Sequence, residues 1–244
     1  MLQQSNSILR LCIVVVVVML VQLSPVLSQD VKIGTQVWTS KNLDVSTFRN
    51  GEAIPEAKSK EEWVKARENK LPAWCYYDYD SKNGKVYGKL YNWFAVGDSR
   101  GLAPRGYHIP SDEEWTVLAD FLGGWKIASP KLKSKTGWLD SKFGMNNAGQ
   151  RVKTKTIWPI PVLGNNSSGF YGLPGGDVDH YGRHWNITFQ GKWWSSSQCI
   201  QFYDNKPHPL VGFYYIRVMT NNAPEFQQFG ATVGNGFSVR CLKD

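Results

Sequence analysis

The sequence predicts a single α+β domain, and three observations carry that reading. Two segments open with a serine three residues ahead of a glutamate and continue with apolar residues at helical spacing. Several stretches toward the C-terminus alternate apolar and polar residues with a period of two, as half-buried strands do. The third is composition: 11 Trp, 23 Gly and 12 Pro among 244 residues, with modest Leu, Ile and Val, describe a loop-rich globule with an aromatic core. That balance excludes a disordered tail, a coiled coil and a polytopic membrane protein, and the length suffices for a substantial core.

The N-terminus carries an address before any structural element. Arg10 and the free amine form a short positive region, and residues 11–21 are apolar throughout. At about 1.5 Å rise per residue this run is too short for the roughly 30 Å of a bilayer's hydrocarbon. Val26 and Ser28 stand three and one positions before a cut at Gln29, where signal peptidase requires small residues. Cys12 stands at the start of the apolar run, not after it, and is no lipoprotein acylation site. An uncleaved anchor is the alternative, disfavoured by the polar break at Gln22. The expected division is a signal peptide over 1–28 and one domain over 29–244.

Residues 31–38 alternate Val31, Ile33 and Val37 around Gly34 and read as a short strand or hairpin. Ser59-Lys60-Glu61-Glu62 is a capping box, so 60–69 is expected to be a helix with Trp63 on its apolar face. Ser111-Asp112-Glu113-Glu114 repeats the device. Trp115, Leu118, Ala119 and Leu122 follow at helical spacing, and Gly123-Gly124 ends the helix. These are the two helices predicted. Residues 159–186 are rich in Gly, Pro, Asn and Ser, yet Phe170, Tyr171, Tyr181 and Trp185 anchor them too often for a tether, so ordered long loops are expected. Residues 192–195, 213–219 and 237–242 are strand candidates, the last with Phe237, Val239 and Cys241 on one face and Ser238 and Arg240 opposite.

Loss of the leader leaves Cys75, Cys199 and Cys241. An oxidising compartment permits one disulfide among these candidates and leaves one thiol over. None has the paired spacing of a zinc site.

An ordered series of segments resembles a known family. Ile33-Gly34-Thr35-Gln36-Val37-Trp38 with Lys41-Asn42-Leu43 opens it, followed by Tyr87-Gly88-Lys89-Leu90-Tyr91-Asn92-Trp93 and by Gly106-Tyr107-His108-Ile109-Pro110 running into Ser111–Trp115. Asn166-Ser167-Ser168-Gly169-Phe170, Leu173-Pro174-Gly175-Gly176 and Trp193-Trp194-Ser195-Ser196-Ser197 come next, and residues 236–244 close it. Over about 31–244 the chain resembles the Fibrobacter succinogenes major paralogous domain. The resemblance implies an exported bacterial domain with a C-type-lectin-like fold: a small, twisted, mostly antiparallel sheet, two helices and long loops. Some members look like surface or adhesion modules, so binding is what the resemblance implies. Many members carry Cys where this chain has Ala103, which removes the usual partner of Cys241 and leaves Cys199 or Cys75 as its substitute.

Candidate chemistry concentrates in Asp177-Val178-Asp179-His180-Tyr181-Gly182-Arg183-His184. Two carboxylates and two imidazoles are divalent-metal ligands in kind, but His180 and His184 share a face only on a helix, which Gly182 opposes. The bland alternative is a polar solvent loop. The Glu-Pro-Asn, Gln-Pro-Asp and Trp-Asn-Asp triplets of calcium-dependent lectins are missing. So are the Gly-x-Ser-x-Gly elbow and a phosphate-cradling glycine loop. Cys75 beside Trp74 and Tyr76 reads as buried or bridged, and Asp78 and Asp80 as a turn facing water. The start of the second helix also resembles formylglycine-generating enzymes, whose copper needs a close cysteine pair that this sequence does not place together.

The formal charge is +8, and Lys126, Lys131, Lys133, Lys135, Lys142, Arg151, Lys153 and Lys155 concentrate it in one stretch. For an exported protein, acidic envelope polymers are more natural partners than nucleic acid, and a solvated face is the simplest reading. Trp38, Trp93, Trp115 and Trp193-Trp194 belong to the family pattern and are expected in the core. Trp158, Tyr181 and Trp185 fall where a lectin-like fold places its variable loops, and exposed aromatic rings stack on sugar. The expectation is an exported, non-catalytic binding or adhesion module recognising glycan or an envelope protein, secreted or at the cell surface, with the periplasm as a further option. Its predicted ligand residues are Trp158, Asp177, Asp179, His180, Tyr181, His184 and Trp185. No cofactor is expected, calcium or another divalent ion being the alternative, and no nucleic acid or lasting membrane insertion. The competing classes are a metal-dependent enzyme acting on envelope polysaccharide and a structural protein-interaction module.

Overall fold

The computed structural model describes residues 30–140, 143–145, 151–153 and 162–244. The leader, Lys142, Lys155 and Trp158 lie outside them. The described chain is α+β, dominated by antiparallel strands. β1 (Asp30–Ile33) and β2 (Gln36–Thr39) form a hairpin that continues into a four-stranded sheet through β14 (Leu242–Lys243) and β5 (Tyr107–His108). Gly34 turns the hairpin at φ +62, where a Cβ would also strike the Phe121 ring at 2.9 Å.

The larger sheet runs β12 (Phe226–Thr232), β11 (Lys206–Thr220), β10 (Gln190–Tyr203), β8 (Gly175–Val178), β13 (Gly236–Phe237), β4 (Leu90–Asn92) and β3 (Trp74–Cys75), and β9 (His184–Ile187) pairs with β8. A further hairpin joins β6 (Phe143–Met145) to β7 (Arg151–Lys153).

Both predicted helices form. α1 (Lys60–Glu68) is capped by Ser59, but the Glu62 carboxylate reaches the Lys58 N–H instead of the cap residue's own. In α4 (Asp112–Phe121) the box closes fully, with the Ser111 and Glu114 side chains each bonding the other's backbone N–H. Among the described residues three further short α-helices form, α2 (Ser81–Tyr87), α3 (Trp93–Val96) and α5 (Ser129–Leu132), together with a 3-10 turn at Tyr77–Tyr79. Asp80 caps α2 and Asn92 caps α3, so side chains that close a turn start each of these two.

Trp193 and Trp194 organise the interior. Neighbours on a strand point to opposite faces, so the pair feeds two cores. Trp194 packs with Trp93, Tyr91, Phe237 and Val239; Trp193 packs with Trp38, Trp115, Phe170 and Phe226. A third cluster sets Trp63 against Cys75, Tyr77, Leu90 and Val178. All five tryptophans expected in the core are buried.

Several expectations are corrected. The stretch 237–242 is not one strand: β13 ends at Phe237 in the large sheet, β14 begins at Leu242 in the small one, and the chain between crosses the interior. Ser238 and Arg240 are therefore buried as fully as Val239 and Cys241. The candidates at 192–195 and 213–219 are the inner parts of β10 and β11. The expected loop over 159–186 contains a strand, β8, and leads into β9. Cys75, Cys199 and Cys241 are three buried free thiols and no disulfide joins them. They sit in separate packing environments: Cys75 in the third cluster, Cys241 in the first, and Cys199 against Gly230.

The basic stretch is not uniformly solvated. Lys133 is fully buried, and its Nζ donates to the carbonyls of Val162, Thr220 and Ala223, clasping separate loops. Burial draws its pKa down to about 7 against the pull of Glu225. The folded state therefore sheds this proton near neutrality, whereas the unfolded chain holds it to about 10.5. Between those values the unfolded state binds more protons, so this group adds stability as pH rises. Denaturant titrations of the parent should gain on the order of 2 kcal/mol from pH 7 to 9 relative to Lys133→Met; parallel pH profiles would refute it.

Candidate functional site

The Asp177–His184 segment folds as the β8–β9 hairpin, which separates the residues expected to act together. Asp177 faces inward, its Oδ1 bound by Lys192 Nζ at 2.9 Å and by the Asn186 amide at 3.0 Å. Gly176 lets the strands approach, because a Cβ there would meet the Trp185 carbonyl at 2.4 Å.

Asp179 is the staple of the turn. Its Oδ1 accepts from the backbone N–H groups of Tyr181 and Arg183, and its Oδ2 from Arg183 Nε at 2.8 Å and the Trp185 indole at 3.0 Å. Burial alone would raise its pKa, but these donors outweigh it and the carboxyl stays below its ordinary value. Other elements hold the turn from behind: Arg67 donates to the His180 carbonyl at 2.7 Å and Tyr79 to the Gly182 carbonyl at 3.0 Å.

What the hairpin presents to solvent is an aromatic and guanidinium cluster. The Tyr181 ring is 51% exposed and lies 4.0 Å from the His180 ring, centroid to centroid. Arg183 stands 5.1 Å above Tyr181 and 5.4 Å above Trp185, with Arg67 at 6.0 Å from Tyr181. Trp185 is half-buried, so it is both wall and scaffold.

His184 points the other way, into the protein between the Tyr77 and Tyr79 rings. Its Nε2 is 3.8 Å from Cys75 Sγ and its Nδ1 is 3.8 Å from Asp78 Oδ1. The order Cys, His, Asp has the form of a nucleophilic dyad with an orienting carboxylate, and no local pattern announces it because His184 lies 109 residues from Cys75. Its protonation is wrong for attack. Burial pushes the Cys75 thiol well up and the His184 imidazole down, so both are neutral, and Cys75 has no exposed surface. Cys199 is likewise raised by burial, and Cys241 to about 12. Among the described residues no three His, Cys, Asp or Glu converge as a metal site.

Two features escaped the sequence reading. β10 and β11 continue past β12 as a two-stranded ribbon, turned at Asp204 and Asn205 with φ +50 and +60. Ile200 pairs with Pro209 and Phe202 with Pro207, placing four apolar side chains on one face of it, Phe202 71% exposed. The second feature is a cleft of about 570 Å³ between α4 and the outer strands β11 and β12.

The segments that carried the resemblance meet inside the protein. The Asn42 Oδ1 accepts from the Trp193 indole at 2.9 Å and from Arg240 Nε at 2.9 Å, and its amide donates to the Tyr87 carbonyl and Ser238 Oγ. Residues 31–243 match the Fibrobacter succinogenes major domain. The chain belongs to that family. No curated protein and no solved structure matches it. In this member of the Fibrobacter succinogenes major domain family, the opening, middle and closing segments thus share one buried polar node, a structural reason for their succession. Asn42 and Arg240 are spaced too far apart in sequence for any local pattern to have paired them.

Proposed function

We propose that this Fibrobacter succinogenes major domain is an exported, non-catalytic binding module of the cell envelope with a C-type-lectin-like fold, and that the β8–β9 hairpin recognises glycan. One observation carries the reading: an exposed aromatic ring with two guanidinium groups, on a turn that Asp179 holds rigid before any ligand arrives. Rings of this kind stack on the C–H faces of sugars, and guanidinium donors bind hydroxyl or carboxylate groups beside them. Preorganisation spares the entropy of ordering a loop. Export rests on the leader composition. The metal-dependent alternative loses support because Asp177 is tied to Lys192, Asp179 is committed to four donors, and His184 is buried. A protein partner is the second reading, and the ribbon favours it: its exposed apolar face would pack against apolar side chains of that partner, while Pro207 and Pro209 disfavour strand addition.

The test is binding of residues 29–244 to a broad glycan array with and without calcium. Tyr181→Ala is expected to lower affinity about tenfold or more while leaving the melting temperature unchanged, since the ring is half exposed. Binding that depends on calcium would restore a metal role for the hairpin. A blank array, with envelope protein captured through Phe202, would replace this reading by the second.

A further inference from the structure

The larger sheet ends at β12, and the outer edge of that strand is open. Two main-chain bonds show which way its groups point. Phe226 N–H donates to the Trp125 carbonyl at 2.6 Å, away from β11, whereas Val233 N–H donates to the Gly212 carbonyl at 3.2 Å, on the β11 side. The β11–β12 register runs without a shift from Phe226 to Thr232, so alternation turns the N–H and C=O of both Gln228 and Gly230 outward. Among the described residues nothing bonds the main chain of either on that side, and Gln228, Phe229 and Gly230 are all exposed. Only the Gln228 side chain is engaged, through its bond to Asp112 Oδ2 at 2.5 Å. The Trp125 carbonyl closes one end of the open stretch, and a turn in which Asn235 N–H donates to the Thr232 carbonyl closes the other.

Sheet edges are commonly blunted by proline, lysine or a bulge. The neighbouring ribbon has such protection in Lys206, Pro207 and Pro209. β12 reads Phe226-Gln227-Gln228-Phe229-Gly230-Ala231-Thr232 and has none of these. It also carries no charged residue, in a chain of net charge +8. Two copies of a basic chain repel one another, and a charge-free strand lets them meet without like charges directly opposed. Phe229 sits between the two outward-facing residues, its ring 51% exposed on the sheet face it shares with Ile216.

From this we infer that the β12 edge is a self-association site, where a second copy of this chain adds its own β12 antiparallel across a two-fold axis. The occupant follows from the register. With the axis beside Phe229, Gln228 of each copy faces Gly230 of the other, and each such pair exchanges N–H···O=C bonds in both directions. Phe229 then stands opposite its own counterpart in a non-hydrogen-bonded pair, with Cα atoms about 4.5 Å apart, and the half-exposed rings pack together. A contact of this isologous kind closes after two copies. The open stretch is short, so association is weak and concentration-dependent. The dimer would carry two β8–β9 hairpins, and a polymeric ligand could engage both.

The test is sedimentation equilibrium of the full folded chain from about 1 to about 500 μM, where a monomer–dimer equilibrium with Kd of about 100 μM or tighter is expected. Phe229→Lys and Phe229→Glu should each weaken it about tenfold or more, with the melting temperature verifying the fold. Mixing these two variants should restore a dimer, since opposite charges then stand face to face. Phe229→Cys should cross-link to itself under mild oxidation, the native thiols being buried. Gln227→Cys, on the same face, should not, because its counterparts lie about 13 Å or more apart in this register. A parent that stays monomeric throughout the range overturns the inference. So does a mixture of the two charge variants that stays monomeric, or a Gln227→Cys that cross-links as readily as Phe229→Cys. A dimer that survives both charge variants and is lost in Phe202→Ala would move association to the ribbon and sink this proposal. None of these readouts depends on the ligand of the β8–β9 hairpin, so the two readings fail separately.

Discussion

Arg240→Met is expected to destabilise the fold by about 4 kcal/mol, with the midpoint of denaturant unfolding lowered and its slope unchanged. Arg240 is fully buried, with no carboxylate partner among the described residues. Its Nη1 donates to the carbonyls of Thr39 at 2.7 Å and Phe170 at 2.8 Å, its Nη2 to that of Tyr171 at 3.0 Å, and its Nε to Asn42. Its charge also lies 4.3 Å from the Phe170 ring.

Methionine fills much of the volume but donates nothing. The two buried carbonyls of Thr39 and Phe170 then lose this donor, at roughly 1–3 kcal/mol each, the part-buried Tyr171 carbonyl and Asn42 lose less, and relief from burying a cation returns part of that sum. Burial does lower the Arg240 pKa, to about 9, but the cluster of acceptors engages four of the five guanidinium donors. Arg240→Lys should recover less than half of the loss, because one ammonium cannot span acceptors placed around a planar fork. A loss under about 1 kcal/mol for the methionine variant would show that the node is dispensable.

Trp115→Ala should cost about 3–5 kcal/mol, read in the same unfolding experiment. The indole has no exposed surface, and its ring centroid lies 4.5 Å from Trp38, 5.9 Å from Phe170 and 5.7 Å from Phe226. These rings sit on different elements, so a single side-chain shift cannot refill the space. The cavity persists and its cost adds to the lost transfer energy. Trp115 and Arg240 both touch Phe170, so the double variant should lose less than the two single losses combined. Strict additivity would place them in independent parts of the core.

The helices were legible because their signals are local. Ser111 and Glu114 are three residues apart, and the bonds between them form wherever the chain turns helical there. The five buried tryptophans were legible as core because they stand in the segments that carry the family resemblance. In the Asp177–His184 segment only the turn was legible: Gly182 spoke against a helix that would align His180 with His184, but the pairing of β8 with β9, which sends His184 inward and leaves Tyr181 outward, is not local. The Cys75–His184–Asp78 contact and the α4 cleft left no trace, since each joins residues far apart in the chain.

The same physical distinction separates what each level decided. Capping pairs, period-two alternation, the Gly34 turn and the apolar leader act over a few residues, so the sequence alone determined class, helix starts and an expected export route. The family membership also follows from sequence, through an ordered succession of segments. Only the tertiary structure decided which charges are hidden. Lys133, Arg217 and Arg240 look like solubilising surface in a composition count, yet Lys133 and Arg240 are buried among acceptors from separate segments, and Arg217 is buried against the Asp112 carboxylate of α4. Burial of a cation depends on where backbone carbonyls from distant loops come to rest, and that is set by the whole packed chain.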